Sequence, residues 1–319
     1  MLISVEECLP ALRCPVTRSR LIRSGENSLR TEGAPENQKD YKIVAGRPIL
    51  IDFSDSVLVE EEVFAANANS PISRQKHHGA KARIKRLLSP QKAGTRNNVK
   101  RLIADLGRRT RPVRLLIVGG GSVGQGMDPI YEHPDIRVYS FDIYATPNVQ
   151  FVADAHHIPL PDEFFDAAIV QAVLEHVLQP NQVVSEIWRV LQPQGLVYAE
   201  TPFMQQVHEG AFDFTRFTES GHRYLFRRFE RLDSGANGGP GIQFMWSVDY
   251  LVRSLFRSVT AGKVAKLAFF WMQYLDRLIP APYAEDGASG VFFYGSKSER
   301  TLSPSHIVKH YQGAQRNHG

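Results

Sequence analysis

Cysteine is scarce: Cys8 and Cys14 are the two in 319 residues. Two thiolates cannot supply the four ligands of a structural zinc site, and they make no disulfide framework. No metal is therefore expected. The N-terminal stretch MLISVEECLPAL lacks the basic region and long apolar run of a secretion signal, so a cytoplasmic location is the expectation. The net charge of +5 is concentrated in Arg74–Arg111. That segment lacks interleaved aromatics or a recognisable nucleic-acid module, so a solvated linker is the expectation and nucleic-acid binding is not.

What remains is an ordinary globular composition divided into four parts. Residues 1–55 read as a small, separate β-rich unit, with Cys14-Pro15-Val16-Thr17 near its start and two short strands within Tyr41–Ile51. Residues 56–112 read as the basic linker with helical pieces, among them Asn98–Leu106, and residues 299–319 as a flexible tail. Residues 113–298 alternate strand and helix. Apolar runs at Leu115–Val118, Arg137–Phe141, Val149–Asp154, Phe165–Val170 and Leu196–Ala199 are separated by a glycine turn, polar loops and the helical pattern of Asn181–Leu191. This alternation predicts a parallel sheet covered by helices on both faces.

Two features of that region carry chemistry. A glycine turn, Gly119-Gly120-Gly121-Ser122-Val123-Gly124, follows the first strand directly, and the second strand ends in Asp142. Glycines let a ligand approach bare backbone, and an acid about twenty residues on can accept from two ribose hydroxyls. The pattern predicts a site for an adenosine-containing ligand at the carboxyl edge of the sheet. Asp154 ends the third strand, either as a second acid of that site or as a strand-end cap.

The order of the glycine turn, Asp142, Ala153-Asp154-Ala155, Leu174-Glu175-His176-Val177 and Arg189-Val190-Leu191-Gln192-Pro193-Gln194-Gly195 resembles the class I S-adenosylmethionine-dependent methyltransferases, of the methyltransferase type 11 kind, over about Leu115–Pro202. The resemblance implies a Rossmann-like, mostly parallel seven-stranded sheet with S-adenosylmethionine as cofactor. It implies that Gly119, Gly120 and Gly121 approach the carboxypropyl part and that Asp142 holds the ribose. Ile143 then packs on adenine, Asp154 and the Ala155 amide meet the adenine amino end, and Gln171 lies near the sulfonium. In this resemblance Glu175-His176 is a structural signature. The turn departs from the family pattern at Ile117, where an acid is usual, and at Val123, which displaces the last glycine. The N-terminal segment resembles the small Trm112-like domain, degenerate because Cys14-Pro15-Val16-Thr17 lacks its second cysteine and no later pair exists.

The stretch after the fifth strand, Glu200–Arg223, is dense in polar and aromatic residues without periodicity, as in a loop over a site. It resembles the run ETPFxQQVHEGxxDFTRFT of a methyltransferase subgroup. His208 is a candidate general base and Asp213 its orienting acid; the alternative is that both, with Arg216 and His222, brace the loop. Helices are predicted at Trp246–Phe256 and Val264–Ile279, the latter apolar nearly all round but too short to span a bilayer. It would lie on a membrane, cap an apolar acceptor or be buried as a lid. The expected function is methyl transfer to a hydroxyl or amine of a small-molecule, glycan or lipid-linked acceptor. The alternatives are an NAD(P)-binding oxidoreductase, disfavoured because no Tyr-x-x-x-Lys pair follows the fold, and a non-catalytic cofactor-binding scaffold.

Overall fold

The computed structural model describes residues 1–35, 38–65 and 93–316. Most of the basic segment, with His77 and His78, lies outside the described residues. The strands are β1 (Leu21–Gly25), β2 (Ser28–Thr31), β3 (Asp40–Val44), β4 (Arg47–Leu50), β5 (Val113–Val118), β6 (Ile136–Asp142), β7 (Phe151–Ala153), β8 (Phe165–Gln171), β9 (Leu191–Pro202), β10 (Phe229–Gly238) and β11 (Gly290–Lys297). They form one sheet in the order β1-β2-β3-β4-β7-β6-β5-β8-β9-β11-β10. β5 pairs in parallel with β6 and β8, and β7 and β9 extend the parallel run outward. β11 is antiparallel to both β9 and β10.

The central strands are apolar on both faces because helices cover both. On one side the helix Ala93–Leu106 turns Val99, Leu102 and Leu106 inward onto Leu115 and Ile117. That three-and-four spacing places the three residues on one helical face. On the other side Pro180–Val190 buries Val183, Val184, Ile187 and Val190 against Leu116, Val170 and Val197. Chain order reverses at β5, between β6 and β8. Outside the carboxyl ends of such a switch point an open α/β sheet leaves a crevice.

Residues 1–55 were expected to stand apart, yet they continue the main body. β4 lies parallel to β7, with Ile49 opposite Val152 and Leu50 opposite Ala153. Cys8, Leu12, Cys14, Leu29 and Tyr41 share one buried cluster with Leu116, Phe141, Phe151 and Phe165. The Cys14 turn is closed by hydrogen bonds: Thr17 donates its N–H to Cys14 Sγ at 3.3 Å, and the Tyr41 hydroxyl lies 3.0 Å from the same sulfur. Cys8 is fully buried, and burial raises its thiol pKa.

One strand end was not foreseen, and two further expectations are corrected. The glycine-rich piece Ala236–Gly241 supplies the end of β10, where Gly238 pairs with Gly290. A Cβ on Gly238 would sit 2.4 Å from Ser289 Oγ, so bare backbone is needed for that approach. The predicted helix Val264–Ile279 is interrupted: one helix covers Val259–Ala268, and Phe270–Arg277 follows as 3₁₀ turns. The expected flexible tail carries a helix, Pro304–His310, docked through His310 Nε2, 2.8 Å from Glu219. Tyr311 adds a hydroxyl donated to Asp286 at 2.6 Å. Among the described residues no helix is long and apolar enough to cross a membrane.

Candidate active site

The crevice at the switch point is a cavity of about 660 Å³. Gly119, Asp142, Ile143, Asp154, Ala155 and Gln171 all line it, which is the volume and mixed lining of a cofactor site. Gly119 leaves β5 with φ +74°, and a Cβ there would lie 2.2 Å from Val173 Cγ2, so only glycine fits both the conformation and the space. Gly120 and Gly121 stand behind the wall. Gly120 donates its N–H to the Phe141 carbonyl at 2.9 Å, and Gly121 donates to Asp142 Oδ2 at 2.7 Å. Ile143 donates its N–H to Asp142 Oδ1 at 2.7 Å. These two bonds orient the carboxylate at the cavity wall.

Asp154 is both cavity wall and cap. Its Oδ1 accepts from the His156 backbone N–H at 2.9 Å, and its Oδ2 from Ser56 Oγ at 2.5 Å. Burial alone would raise its pKa, but the bonds from His156 and Ser56 outweigh that and hold it below the usual carboxylate range. Gln171 is aimed from behind: its Nε2 donates to Glu200 Oε2 at 2.8 Å, and Glu200 also accepts from Thr95 Oγ1 at 2.5 Å and from the Tyr198 hydroxyl. One wall was not foreseen. Ile49, Val57, Leu58, Val59 and Val63 close the cavity from the N-terminal side.

His208 and Asp213 do come together. The His208 backbone N–H donates to Asp213 Oδ2 at 2.9 Å, and His208 Nδ1 lies 3.3 Å from the same oxygen. Arg216 pairs with both Asp213 oxygens and, through this ion pair, holds the Asp213 pKa down at about 2. His208 is not among the residues lining the cavity; His176 is, with Phe212, Glu209 and Val173. The His176 and His208 rings meet edge to face at 4.9 Å between centroids. Glu175, fully buried, lies beneath both. Of the pair Glu175-His176, expected as a structural signature, His176 thus stands at the cavity wall with Glu175 buried behind it, and the signal that could have found it was its place in the loop that leaves β8. Burial keeps the His176 pKa below the ordinary histidine value. His222, expected among the possible loop braces, is packed inside against Phe217 and Phe226.

With the seven strands β7-β6-β5-β8-β9-β11-β10 of the eleven-stranded sheet, the glycine turn and the two carboxylates in place, the architecture is the Rossmann-like fold of class I methyltransferases. Residues 118–199 match the family model described as a methyltransferase domain. This part of the chain is a methyltransferase domain, the protein is an enzyme of that activity, and its cofactor is S-adenosylmethionine. No curated protein matches the sequence. Similar solved structures include the [4+2]-cyclase SpnF, 20% identical, covering 62% of this chain and 80% of that one at a TM-score of 0.40. Another is the Haemonchus contortus phosphoethanolamine N-methyltransferase 2 with S-adenosyl-L-methionine, at 14%, 64%, 53% and 0.41 for the same quantities. A third is the Burkholderia thailandensis 1,6-didemethyltoxoflavin-N1-methyltransferase with S-adenosylhomocysteine, at 14%, 88%, 99% and 0.40.

Proposed function

We propose that the chain transfers a methyl group to a hydroxyl or amine of a small-molecule, glycan or lipid-linked acceptor. The observation that carries this reading is one cavity lined by two carboxylates, Asp142 and Asp154, and by a histidine, His176. Bound S-adenosylmethionine supplies an electrophilic methyl on sulfur. The residues of this chain do the rest. Asp142 accepts from the ribose hydroxyls, and Ile143 packs on the adenine. Asp154 and the Ala155 amide meet the amino end, the Gly119 backbone faces the carboxypropyl part with Gly120 and Gly121 supporting it from behind, and Gln171 borders the sulfonium. In-line transfer then needs an aligned acceptor, little water and, for a hydroxyl, somewhere for the proton to go. His208 with Asp213 is the pair proposed for that last task, its ring packed edge to face on His176, which lines the cavity. Calorimetry tests the reading: S-adenosylhomocysteine binds and NADH does not. The reverse result would restore the oxidoreductase alternative.

Residues 264–279 are proposed as a peripheral membrane contact of an otherwise cytoplasmic enzyme. Leu255, Phe256, Val264, Trp271 and Leu278 are exposed on neighbouring turns, and Leu278 is 79% exposed. Within 240–279 every exposed charge is positive: Arg257, Lys263 and Arg277. Asp249 pairs with Arg253, and Asp276 turns inward to accept from the Gly239, Gly241 and Ile242 amides. A basic, apolar face fits an anionic bilayer surface. Wild-type protein should sediment with phosphatidylserine vesicles, and Phe256→Glu with Leu278→Glu should remain in the supernatant. Equal recovery of both proteins in the supernatant rejects the contact. The N-terminal segment is proposed as a degenerate Trm112-like domain, supported by its retained Cys14-Pro15 turn, and as a brace for the Ile49–Val63 wall.

A further inference from the structure

Glu175, His176 and His208 each offer one ligand atom, and these atoms all lie within 4.8 Å of one another. His176 Nε2 is 3.6 Å from Glu175 Oε1, and His208 Nε2 is 4.0 Å from it. The other nitrogen of each ring is already committed. His176 Nδ1 lies 2.7 Å from the Phe212 carbonyl, which can only accept, so the hydrogen sits on Nδ1 and the lone pair on Nε2. His208 Nδ1 faces Asp213, whose carboxylate is ion-paired with Arg216 and likewise accepts, so its lone pair is also on Nε2. Carbonyl- and carboxylate-oriented imidazoles of this kind are how proteins aim metal-binding histidines.

The backbone holds the group together. Phe214 and Thr215 both donate their N–H to the Glu175 carbonyl, at 2.8 and 3.2 Å, which lays the His208 loop over β8's exit. Local charge is favourable: Glu175, Glu209 and Asp213 stand against Arg216 alone. Two atoms bound at about 2.0–2.2 Å to one ion lie roughly 3.4 Å apart at tetrahedral angles and at most about 4.3 Å apart when opposed, so the histidine rings, now within 4.8 Å, close by up to about 1.4 Å when an ion binds.

We propose that Glu175 Oε1, His176 Nε2 and His208 Nε2 form a binding site for a divalent first-row transition metal at the cavity wall. Two imidazoles and one carboxylate suit zinc, iron, cobalt or manganese, whereas magnesium favours an all-oxygen set. The absence of metal expected from the cysteine count rested on thiolate ligands, and this site uses none. The site deepens the methyltransferase reading, because a bound cation would face the acceptor end and His208 would then serve as ligand instead of base.

The test uses the full chain, stripped with a chelator and titrated with cobalt(II) without cofactor, read by visible absorption and calorimetry. One equivalent should bind with ligand-field bands. His176→Ala and His208→Ala should each lose the bands, while Asp213→Asn, which only loosens the His208 ring, should weaken affinity about 10- to 100-fold. Far-UV circular dichroism and S-adenosylhomocysteine titration of the same samples report folding and cofactor binding separately. If wild type takes up no cobalt while binding S-adenosylhomocysteine, the metal site is overturned and the methyltransferase reading stands. Cobalt bands that survive both histidine substitutions also overturn the site.

Discussion

The proposed cofactor end and the proposed acceptor end of the site are built by different means. At the cofactor end, side chains are aimed by strand register. β5, β6, β7 and β8 are buried on both faces, and Asp142, Asp154 and Gln171 leave at or just beyond their carboxyl ends. At the acceptor end the chain from Phe203 to Phe217 has little regular structure. It is held by point contacts: the Arg216 guanidinium donates to the Gln205 and Gln206 carbonyls, the Tyr250 hydroxyl to the Val207 carbonyl, and the Phe214 amide to Glu175. A sheet spreads a perturbation over many ladder bonds, whereas a braced loop rests on a few. Substitutions at the two ends should therefore separate binding from turnover.

The largest expected effect is at the loop. His208→Ala should lower turnover roughly 10²–10⁴-fold, the range for losing a positioned proton acceptor, with S-adenosylhomocysteine affinity nearly unchanged. A parallel loss of affinity would mean that the ring braces the cofactor end and would break the separation. Chelation sharpens the result. If His208 is a base, wild-type turnover is indifferent to a chelator; if it is a metal ligand, wild type falls toward the variant.

A smaller effect is expected at the sheet edge. Asp142→Ala removes the acceptor for two ribose hydroxyls and should weaken S-adenosylhomocysteine binding by about 2–4 kcal/mol, read by calorimetry. It also frees the Gly121 and Ile143 amides, so a thermal unfolding scan must accompany it. Unchanged affinity would place the ribose elsewhere.

The smallest effect concerns stability and lies outside both ends. Burial lowers the His222 pKa to about 3, against an unfolded value of about 6.5. Below that value the unfolded chain takes up a proton that the folded chain excludes, so stability falls as pH drops. The loss between pH 7 and 5 should be about 2 kcal/mol. Urea unfolding of His222→Phe, whose ring can take the place beside Phe226, should show a flatter pH dependence than wild type. Equal slopes would show that His222 is protonated in the fold.

Legibility followed the same divide. Leu115–Val118 and Phe165–Val170 could be read because strands buried on both faces are continuously apolar, and Asp142 because an acid ending such a run stands out. β10 was missed because Ser234–Gly238 has neither alternation nor bulk. β1 was missed because Leu21–Gly25 is mostly exposed and carries no inward face. The break near Phe269 was hidden because Leu267–Met272 is apolar all round and gives no period to fail.

Local chemistry therefore determined the parallel sheet, the glycine turn and the acid at its edge, since each is written in consecutive residues. Tertiary structure decided three other things. The N-terminal segment joined the main sheet because an edge strand, β7, had backbone groups to satisfy. The Val57–Val63 stretch became a cavity wall because β4 delivers the chain there. Glu175, His176 and His208 converged because the loop after β9 folds back and donates two amides to the Glu175 carbonyl. The spacing of residues along a chain does not specify such long-range closures, which depend on what each backbone group finds to pair with once the sheet exists.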